Sequence, residues 1–340
     1  TIATIRMVDA ERGWAMGGSE ANTNHVLRTE DGGATWHDVT PPQPSPPDGL
    51  GRATPLGYFL DERTGWVVYP VDMAEPPVYV VVWRTENGGT SWEASQALRV
   101  AGLEEVFEPA FLTFVDGQHG WLLVGVGAGM SHRYVTLYRT EDRGATWVRV
   151  LDPSSDGGIQ SLGKTGLVFA DIQTGWLTRD NFGIVDSAFF DRTRDGGTTW
   201  ESVDLPPPSS LPDLFQMAQC VTHSPRLTSP TVGSVAVECQ QYDSGEATTI
   251  AYLYRTTGSG STWNSAPYPG GEVVFIDDQV LLALSREIQR SDDGGQVWAQ
   301  VKAVNWDGQF SFVDELLAWA VATNEEGSSL VRSRNGGASW

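Results

Sequence analysis

Acidic and aromatic side chains gather in four irregular stretches of this chain, and these are the residue types that could do chemistry. Pro70 to Pro77 (PVDMAEPP) holds Asp72 and Glu75, and Gly125 to Tyr134 (GVGAGMSHRY) holds His132 and Arg133. Arg179 to Asp186 (RDNFGIVD) combines Arg179, Asp180, Asn181, Phe182 and Asp186, and Cys239 to Glu246 (CQQYDSGE) holds Tyr242, Asp243 and Glu246. Brought together, they would form a polar cleft with aromatics, suited to a sugar or a peptide. Two carboxylates about 5–10 Å apart, one with a raised pKa, could cleave a glycosidic bond. Asp72, Asp180, Asp186 and Asp243 are the candidates for that pair. The plainer reading of each stretch is a solvated loop, and variable loops on a rigid scaffold are where sites reside.

The bulk numbers narrow the partners. The 340 residues carry a formal net charge of -21 with a pI near 4.5. Such a chain repels polyphosphate, so nucleic acid is excluded as a partner, and anionic membrane surfaces fare no better. A protein or glycan partner, neutral or cationic, is compatible. Acidity also serves solubility of a large surface. The two cysteines, Cys220 and Cys239, make no CxxC or Cys/His cluster, so no metal site and no cofactor is expected. A disulfide between them and two free buried thiols are both open. No apolar run reaches the 18 residues or so of a membrane span, so no transmembrane segment is expected. The chain starts at Thr1 without an initiator Met, read as a mature or trimmed form of an extracellular, periplasmic or cell-surface protein.

The elements that must position the four stretches come from a repeat. The phrase Arg-Thr/Ser-x-Asp/Asn-x-Gly-x-x-Trp, here called the box, recurs seven times, ending at Trp36, Trp92, Trp147, Trp200, Trp263, Trp298 and Trp340. Its acidic or amide position is Asp31, Asn87, Asp142, Asp195, Asp293 or Asn335, and the fifth copy (RTTGSGSTW) has Gly258 there. A second phrase precedes most boxes: an apolar pair, Asp, a short turn, then Gly-Trp, as in FVDGQHGW (Phe114 to Trp121). The two phrases use 12 of the 14 Trp. Each unit contains four short β-like stretches, such as FLTFVD, GWLLVGV, YVTLYRT and WVRVL in the third. No helical period is present. The predicted fold is therefore all-β, a seven-bladed β-propeller of four-stranded antiparallel blades forming one domain over residues 1–340.

In the box, Gly-Gly or Asn-Gly-Gly supplies positive φ for a hairpin between third and fourth strands. The Asp or Asn and the Thr or Ser before the Trp accept turn N–H groups, and the Trp ring buries a large area over the turn. These residues are read as structural. The seven-fold Arg is read as pairing with the Asp that ends the first strand, or as stacking on the Gly-Trp indole.

The boxes resemble the Asp-box (BNR) repeats of sialidases, sortilin-type receptors and xyloglucan-degrading enzymes. The full unit most closely resembles the family of Ycf48-like photosystem II assembly factors. The resemblance covers nearly the whole chain and implies a seven-bladed propeller that binds a protein partner on the extracytoplasmic side. It also implies an arginine-rich surface, at positions among Arg28, Arg84, Arg139, Arg192, Arg255, Arg290 and Arg332. The Phe/Tyr-Arg-Ile-Pro phrase of sialidases is absent. The favoured reading is a non-catalytic binding or assembly scaffold that recognises a protein or glycan through the loop face opposite the boxes. The alternative is a glycoside hydrolase, sialidase-like or with two carboxylates, whose site lies at the central channel. Trp340 stops where a fourth strand should start, so a three-stranded last blade, or an outer strand from outside this chain, is expected.

Overall fold

Seven runs of alternating short strands and glycine turns fold as seven antiparallel blades, an all-β propeller with almost no helix. The computed structural model describes residues 2–19, 22–42, 55–72, 79–99, 106–129, 132–152, 159, 163–180, 189–243 and 246–340. The chain divides into two compact units. The first unit contains blades 1, 2, 6 and 7 with the turn Asp142–Thr146, and the second contains blades 3, 4 and 5.

In the first unit, blade 1 is Ile2–Met7, Gly13–Ser19, Asn22–Thr29 and His37–Asp38, in that spatial order. Blade 2 uses Leu56–Phe59, Gly65–Val68, Val82–Thr85 and Glu93–Ala94. Blade 6 runs from Glu272–Phe275 to Ala299–Ala303. Blade 7 has three strands, Asp307–Phe312, Ala318–Asn324 and Gly327–Ser333, as the sequence anticipates. Blades 7 and 1 meet directly: the Ile5 N–H donates to Gln309 Oε1 (2.7 Å) and the Met7 N–H to Ser311 Oγ (2.8 Å).

In the second unit, blade 3 is Val106–Phe114, Gly120–Gly129, His132–Thr140 and Val148–Leu151. Blade 4 is Lys164–Phe169, Gly175–Arg179, Phe189–Thr193 and Glu201–Asp204. Blade 5 has an interrupted first strand (Gln219–Thr222, Arg226–Leu227), then Gly233–Asp243, Glu246–Thr256 and Asn264–Pro267. One helical turn, Leu214–Met217, precedes it and buries Leu214 and Phe215.

The cores lie between neighbouring blades. Alternation along each strand sends one face to each neighbour. In the second unit Trp121, Leu137, Phe169 and Leu177 fill the seam between blades 3 and 4, and Trp176, Phe190, Val237 and Tyr254 that between blades 4 and 5. The Gly-Trp residues Trp14, Trp66, Trp121, Trp176 and Trp319 are the largest fully buried side chains. The box Trp residues are less deeply placed, with Trp200 buried and Trp36, Trp263 and Trp298 half-buried. The expected burial therefore falls mainly on the other tryptophan of the unit. Four of the five Gly-Trp indoles donate to a turn carbonyl: Trp14 to Asp61 O (2.9 Å), Trp319 to Gly32 O (2.8 Å), Trp66 to Arg143 O (2.7 Å) and Trp121 to Gly196 O (2.9 Å).

The box turn is held by a hub that the sequence reading passed over. The Thr29 hydroxyl donates to Asp31 Oδ1 (2.9 Å) and accepts the Gly33 N–H (2.9 Å). Asp31 then accepts the Thr35 N–H (2.8 Å) and hydroxyl (2.6 Å), and the Trp36 indole donates to Gly33 O (3.1 Å). Thr193 and Asp195 repeat the pattern in blade 4, and Ser291 and Asp293 in blade 6. The hub residue is buried in every blade: Thr29, Thr85, Thr140, Thr193, Thr256, Ser291 and Ser333. The Thr35 hydroxyl and N–H together hold the Asp31 carboxyl down at about 2. A depressed folded-state pKa contributes stability that is present above the unfolded value and lost as pH falls through the folded one. Acid titration followed by tryptophan fluorescence is therefore expected to show stability falling between about pH 4 and pH 2. Asp31→Asn should flatten that limb.

Cys220 and Cys239 stand directly opposite each other in blade 5 and are joined in a disulfide, which resolves the open question of the sequence reading. The bond closes a loop with a sequence separation of 19. Chain-entropy reasoning gives such a loop about 3 kcal/mol. The double variant Cys220→Ala/Cys239→Ala is expected to lose about that much in urea unfolding, and reductant should have no further effect on it.

Candidate functional site

The box face is chemically spent. Its ring of arginines is engaged within the protein. Arg28 pairs with Glu30 (3.0 Å) and lies over the Trp14 ring at 5.8 Å, and Arg84 pairs with Glu93. Arg139 pairs with Glu141, and Arg192 with Glu201 (2.9 Å) and the Ser259 carbonyl. Arg290 bridges Asp292 (2.7 Å) and Glu315 (3.0 Å), and Arg332 lies over Trp319 at 4.5 Å. Stacking on the Gly-Trp indole is thus realised at Arg28 on Trp14 and at Arg332 on Trp319. The expected pairing with the Asp that ends the first strand is not the repeated contact. That Asp instead caps its own turn: Asp61 Oδ1 accepts the N–H groups of Arg63 and Thr64 (both 2.7 Å), and Asp116, Asp171, Asp277 and Asp314 do the same. A carboxylate two residues before an N–H satisfies it locally, which leaves the arginine to glutamates and carbonyls.

The opposite face is built by hairpins that outrun their blades. In blade 3 the first strand stops pairing at Glu108 with Gly125, and the second continues through Gly127–Tyr134 and Ala128–Arg133 to Gly129–His132. In blade 5 the first strand stops at Gln219 with Gln240, and the second continues through Gln241–Thr248 and Tyr242–Ala247 to Asp243–Glu246. At about 3.3 Å per residue each tip extends roughly 10 Å beyond its first strand. The four tip residues named from sequence, His132, Arg133, Tyr242 and Asp243, sit at these two tips. Tyr242 is 65% exposed. Val235, Val237 and Cys239 pack toward blade 4, so alternation puts Tyr242 on the other side of its sheet. Tyr134 likewise lies on the side opposite Val135 and Leu137, which pack toward blade 4. The two exposed tyrosines therefore do not face each other across blade 4.

Asp72 ends the strand Val71–Asp72. The side chains of Asp72, His132, Arg133 and Asp243 fall outside the described set, and Glu75, Asn181, Phe182 and Asp186 lie outside the described residues altogether.

Arg179 and Asp180 are described, and neither sits in a solvated loop. The Arg179 side chain is 1% exposed, 3.1 Å from the fully buried Asp191. Its guanidinium also donates to Ser202 Oγ, and its N–H donates to Thr222 Oγ1 (2.9 Å). Asp180 exchanges hydrogen bonds with Gly163, accepting its N–H at 3.1 Å and donating to its carbonyl at 3.0 Å. It also bridges Val221 of blade 5. The sequence reading fails here because a polar run looks like loop, while the register carries Arg179 into the strand.

Burial lifts the Asp191 carboxyl to about 6, against the opposing pull of Arg179 and Lys164. A raised carboxylate is a signature of catalytic acids. Enclosed and paired, Asp191 cannot reach a substrate. A different carboxylate stands nearer to chemistry. Glu238 Oε1 accepts the Tyr268 hydroxyl (3.0 Å) and lies 3.6 Å from His223 Nε2, and its side chain is 21% exposed. Burial, reinforced by Glu238, holds the Tyr268 phenol well above its ordinary range, so it stays a neutral donor. The three residues come from separate strands and turns of blade 5. Sequence spacing carries no sign of them.

No group of three or more His, Cys, Asp or Glu able to hold a metal exists among the described residues. No helix among them is long and apolar enough to cross a membrane.

The fold and the hairpin face define a class of protein, the β-propellers, and the comparisons sharpen the neighbourhood. No family model and no curated protein matches the chain. Among solved structures it is similar to the GH74 xyloglucanase from Xanthomonas campestris, with TM-score 0.60 and 18% identity over 99% of this chain and 52% of that one. It is similar to a PL25 ulvan lyase, with TM-score 0.56 and 11% identity over 98% of this chain and 94% of that one. The GH93 α-L-arabinofuranosidase of Fusarium graminearum matches with TM-score 0.50 and 12% identity over 82% of this chain and 90% of that one. This chain spans about half the length of the xyloglucanase. At these identities the likeness is one of fold.

Proposed function

We propose that residues 1–340 form one closed propeller domain that acts on a polysaccharide outside the cytoplasm, as a glycoside hydrolase, through the face opposite the boxes. The observation that carries the reading is the end-to-end fold likeness to propellers that process glycans. Fold alone does not fix function, and the chemistry of the two faces adds support. The box-face arginines are committed to structural contacts, while the extended hairpins of blades 3 and 5 leave polar and aromatic groups at the opposite face. Glu238 is assigned as a carboxylate of the reaction, held by the Tyr268 hydroxyl and lying beside His223. A second carboxylate would have to come from the opposite-face segments, where Asp72, Asp186 and Asp243 remain the candidates. Assignment to the Asp-box repeat is supported by the recurring Thr/Ser-centred turn.

A panel of plant and algal polysaccharides, read out by reducing-end release, tests the proposal. Turnover of one polymer that Glu238→Gln reduces by about two orders of magnitude, with binding retained, is the expected result. Absence of turnover across the panel would sink the hydrolase reading. A second reading, a non-catalytic glycan- or protein-binding scaffold, is favoured by one observation. The Asp191 carboxyl, held up at about 6 by burial, is enclosed and paired with Arg179 rather than open to a ligand. Binding without turnover would select it.

A further inference from the structure

Two Asn-Gly pairs stand in the chain, Asn87-Gly88 and Asn335-Gly336, and both fall in boxes. The hairpin dictates the second member of each. Gly88 and Gly336 hold φ at 72 and 65, a region that side chains seldom adopt. The same glycine leaves its amide nitrogen sterically open to the carboxamide before it, and that pairing is the one most prone to deamidation. The glycine nitrogen bonds to the asparagine Cγ, the Cγ–Nδ2 bond breaks, ammonia departs with the amide proton, and a succinimide ring closes. Water opens the ring at the side-chain carbonyl to give aspartate, or at the main-chain carbonyl to give isoaspartate. We propose that Asn87 and Asn335 are sites of this spontaneous modification, that opening of each box turn gates it, and that the aspartate formed takes the seat the asparagine leaves.

In the closed turn both reacting groups are committed elsewhere. The Gly88 N–H donates to Arg63 O (2.9 Å). Asn87 Oδ1 accepts the Thr85 hydroxyl (3.0 Å) and the Ser91 N–H (2.9 Å), and its Nδ2 donates to Ser91 Oγ (2.8 Å). Blade 7 repeats the arrangement. The Gly336 N–H donates to Leu316 O (2.9 Å). Asn335 Oδ1 accepts the Ser333 hydroxyl (3.1 Å) and the Ser339 N–H (2.9 Å), and its Nδ2 donates to Ser339 Oγ (2.9 Å). Ring closure has to break these bonds first, so its rate follows how often the turn opens. Asn87 and Asn335 are themselves exposed, so water reaches them and ammonia leaves without a wider unfolding. The seat suits the product. In blade 1 Asp31 Oδ1 accepts the Thr29 hydroxyl and the Thr35 N–H, and Oδ2 accepts the Thr35 hydroxyl. The asparagine Nδ2 stands in the place of that Oδ2. Turning the Ser91 or Ser339 hydroxyl proton toward it is all that an aspartate requires.

Peptide mapping by mass spectrometry tests the proposal on the full chain, aged in mildly alkaline buffer with and without urea. Both sites should convert in urea, and more slowly by about tenfold or more in native buffer. Ser91→Ala removes an exposed hydroxyl and one bond of the first turn. It should speed Asn87 severalfold in native buffer and leave Asn335 at the wild-type rate, and Ser339→Ala should do the reverse. Asn87→Asp should unfold at the same urea concentration as the wild type, or at a higher one. Native conversion as fast as that in urea would overturn the gating. So would a Ser91→Ala chain in which Asn87 reacts no faster, or in which both sites accelerate alike. A clear loss of stability in Asn87→Asp would overturn the claim that the seat receives the product.

Discussion

Replacing Trp121 by Ala is expected to lower stability by about 3–5 kcal/mol, the range for deleting a large buried aromatic. Trp121 is fully buried, stacks on Phe169 with ring centroids 3.7 Å apart, and donates to Gly196 O at 2.9 Å. It therefore ties blade 3 to blade 4 by ring area and by a directed bond at once. In a repeat array each interface supports its neighbours, so the loss of one seam is felt beyond the two blades that share it. Urea unfolding with intrinsic fluorescence measures the shift. Trp121→Phe keeps an aromatic ring and loses the donor, so it should cost about 1–3 kcal/mol, the penalty of stranding the Gly196 carbonyl. Trp298→Ala, at a half-buried box position, should cost less than Trp121→Ala. Equal losses at the two sites would contradict the assignment of the main burial to the Gly-Trp residue.

Removing one partner of the Arg179–Asp191 pair is expected to cost about 3–5 kcal/mol, because the other charge is left buried and uncompensated. Arg179→Met and Asp191→Leu should each show this loss. The double variant should recover most of it, since two apolar groups of similar volume suit an enclosed seam. The pH dependence has a definite sign. The Asp191 pKa is raised by burial to about 6, so its contribution is fully present below the unfolded value of 3.8 and is lost as pH rises through about 6. This slope runs opposite to that of Asp31. Stability of the wild type measured across pH 4 to 6 should carry a falling component that Asp191→Asn removes. A variant with an unchanged profile would show that Asp191 stays ionised throughout, held by Arg179 more strongly than burial opposes it.

These two sites mark where the sequence spoke and where it did not. Trp121 belongs to a phrase repeated along the chain, so its structural role was legible from spacing alone. The blade count, the strands and the glycine turns were legible for the same reason, because a hairpin with positive φ at fixed offsets leaves few alternatives. The buried Thr or Ser after each box Arg had an equally regular signal, from Thr29 to Ser333, and could have been read as the hub of the turn. Arg179 and Asp191 gave no such sign, since burial of a charged pair depends on which face of a strand meets which blade. Glu238 and Tyr268 meet across a sheet, and Glu238 carries no motif. Blade 5 shows the cost of a departure from the repeat. Ser259 takes a glycine position at φ 56, and its carbonyl is claimed by Arg192. The Trp176 indole N–H, which by analogy would use that carbonyl, is buried without a partner among the described residues.

The central claim is that the boxes build and the opposite hairpins bind. Hydrogen–deuterium exchange of the full chain, with and without a saturating polysaccharide that it binds, tests this most directly. Added protection is expected in the hairpin tips, residues 125–135 and 240–249, with the box turns unchanged. Protection confined to the box turns, such as residues 29–36 and 193–200, would contradict it.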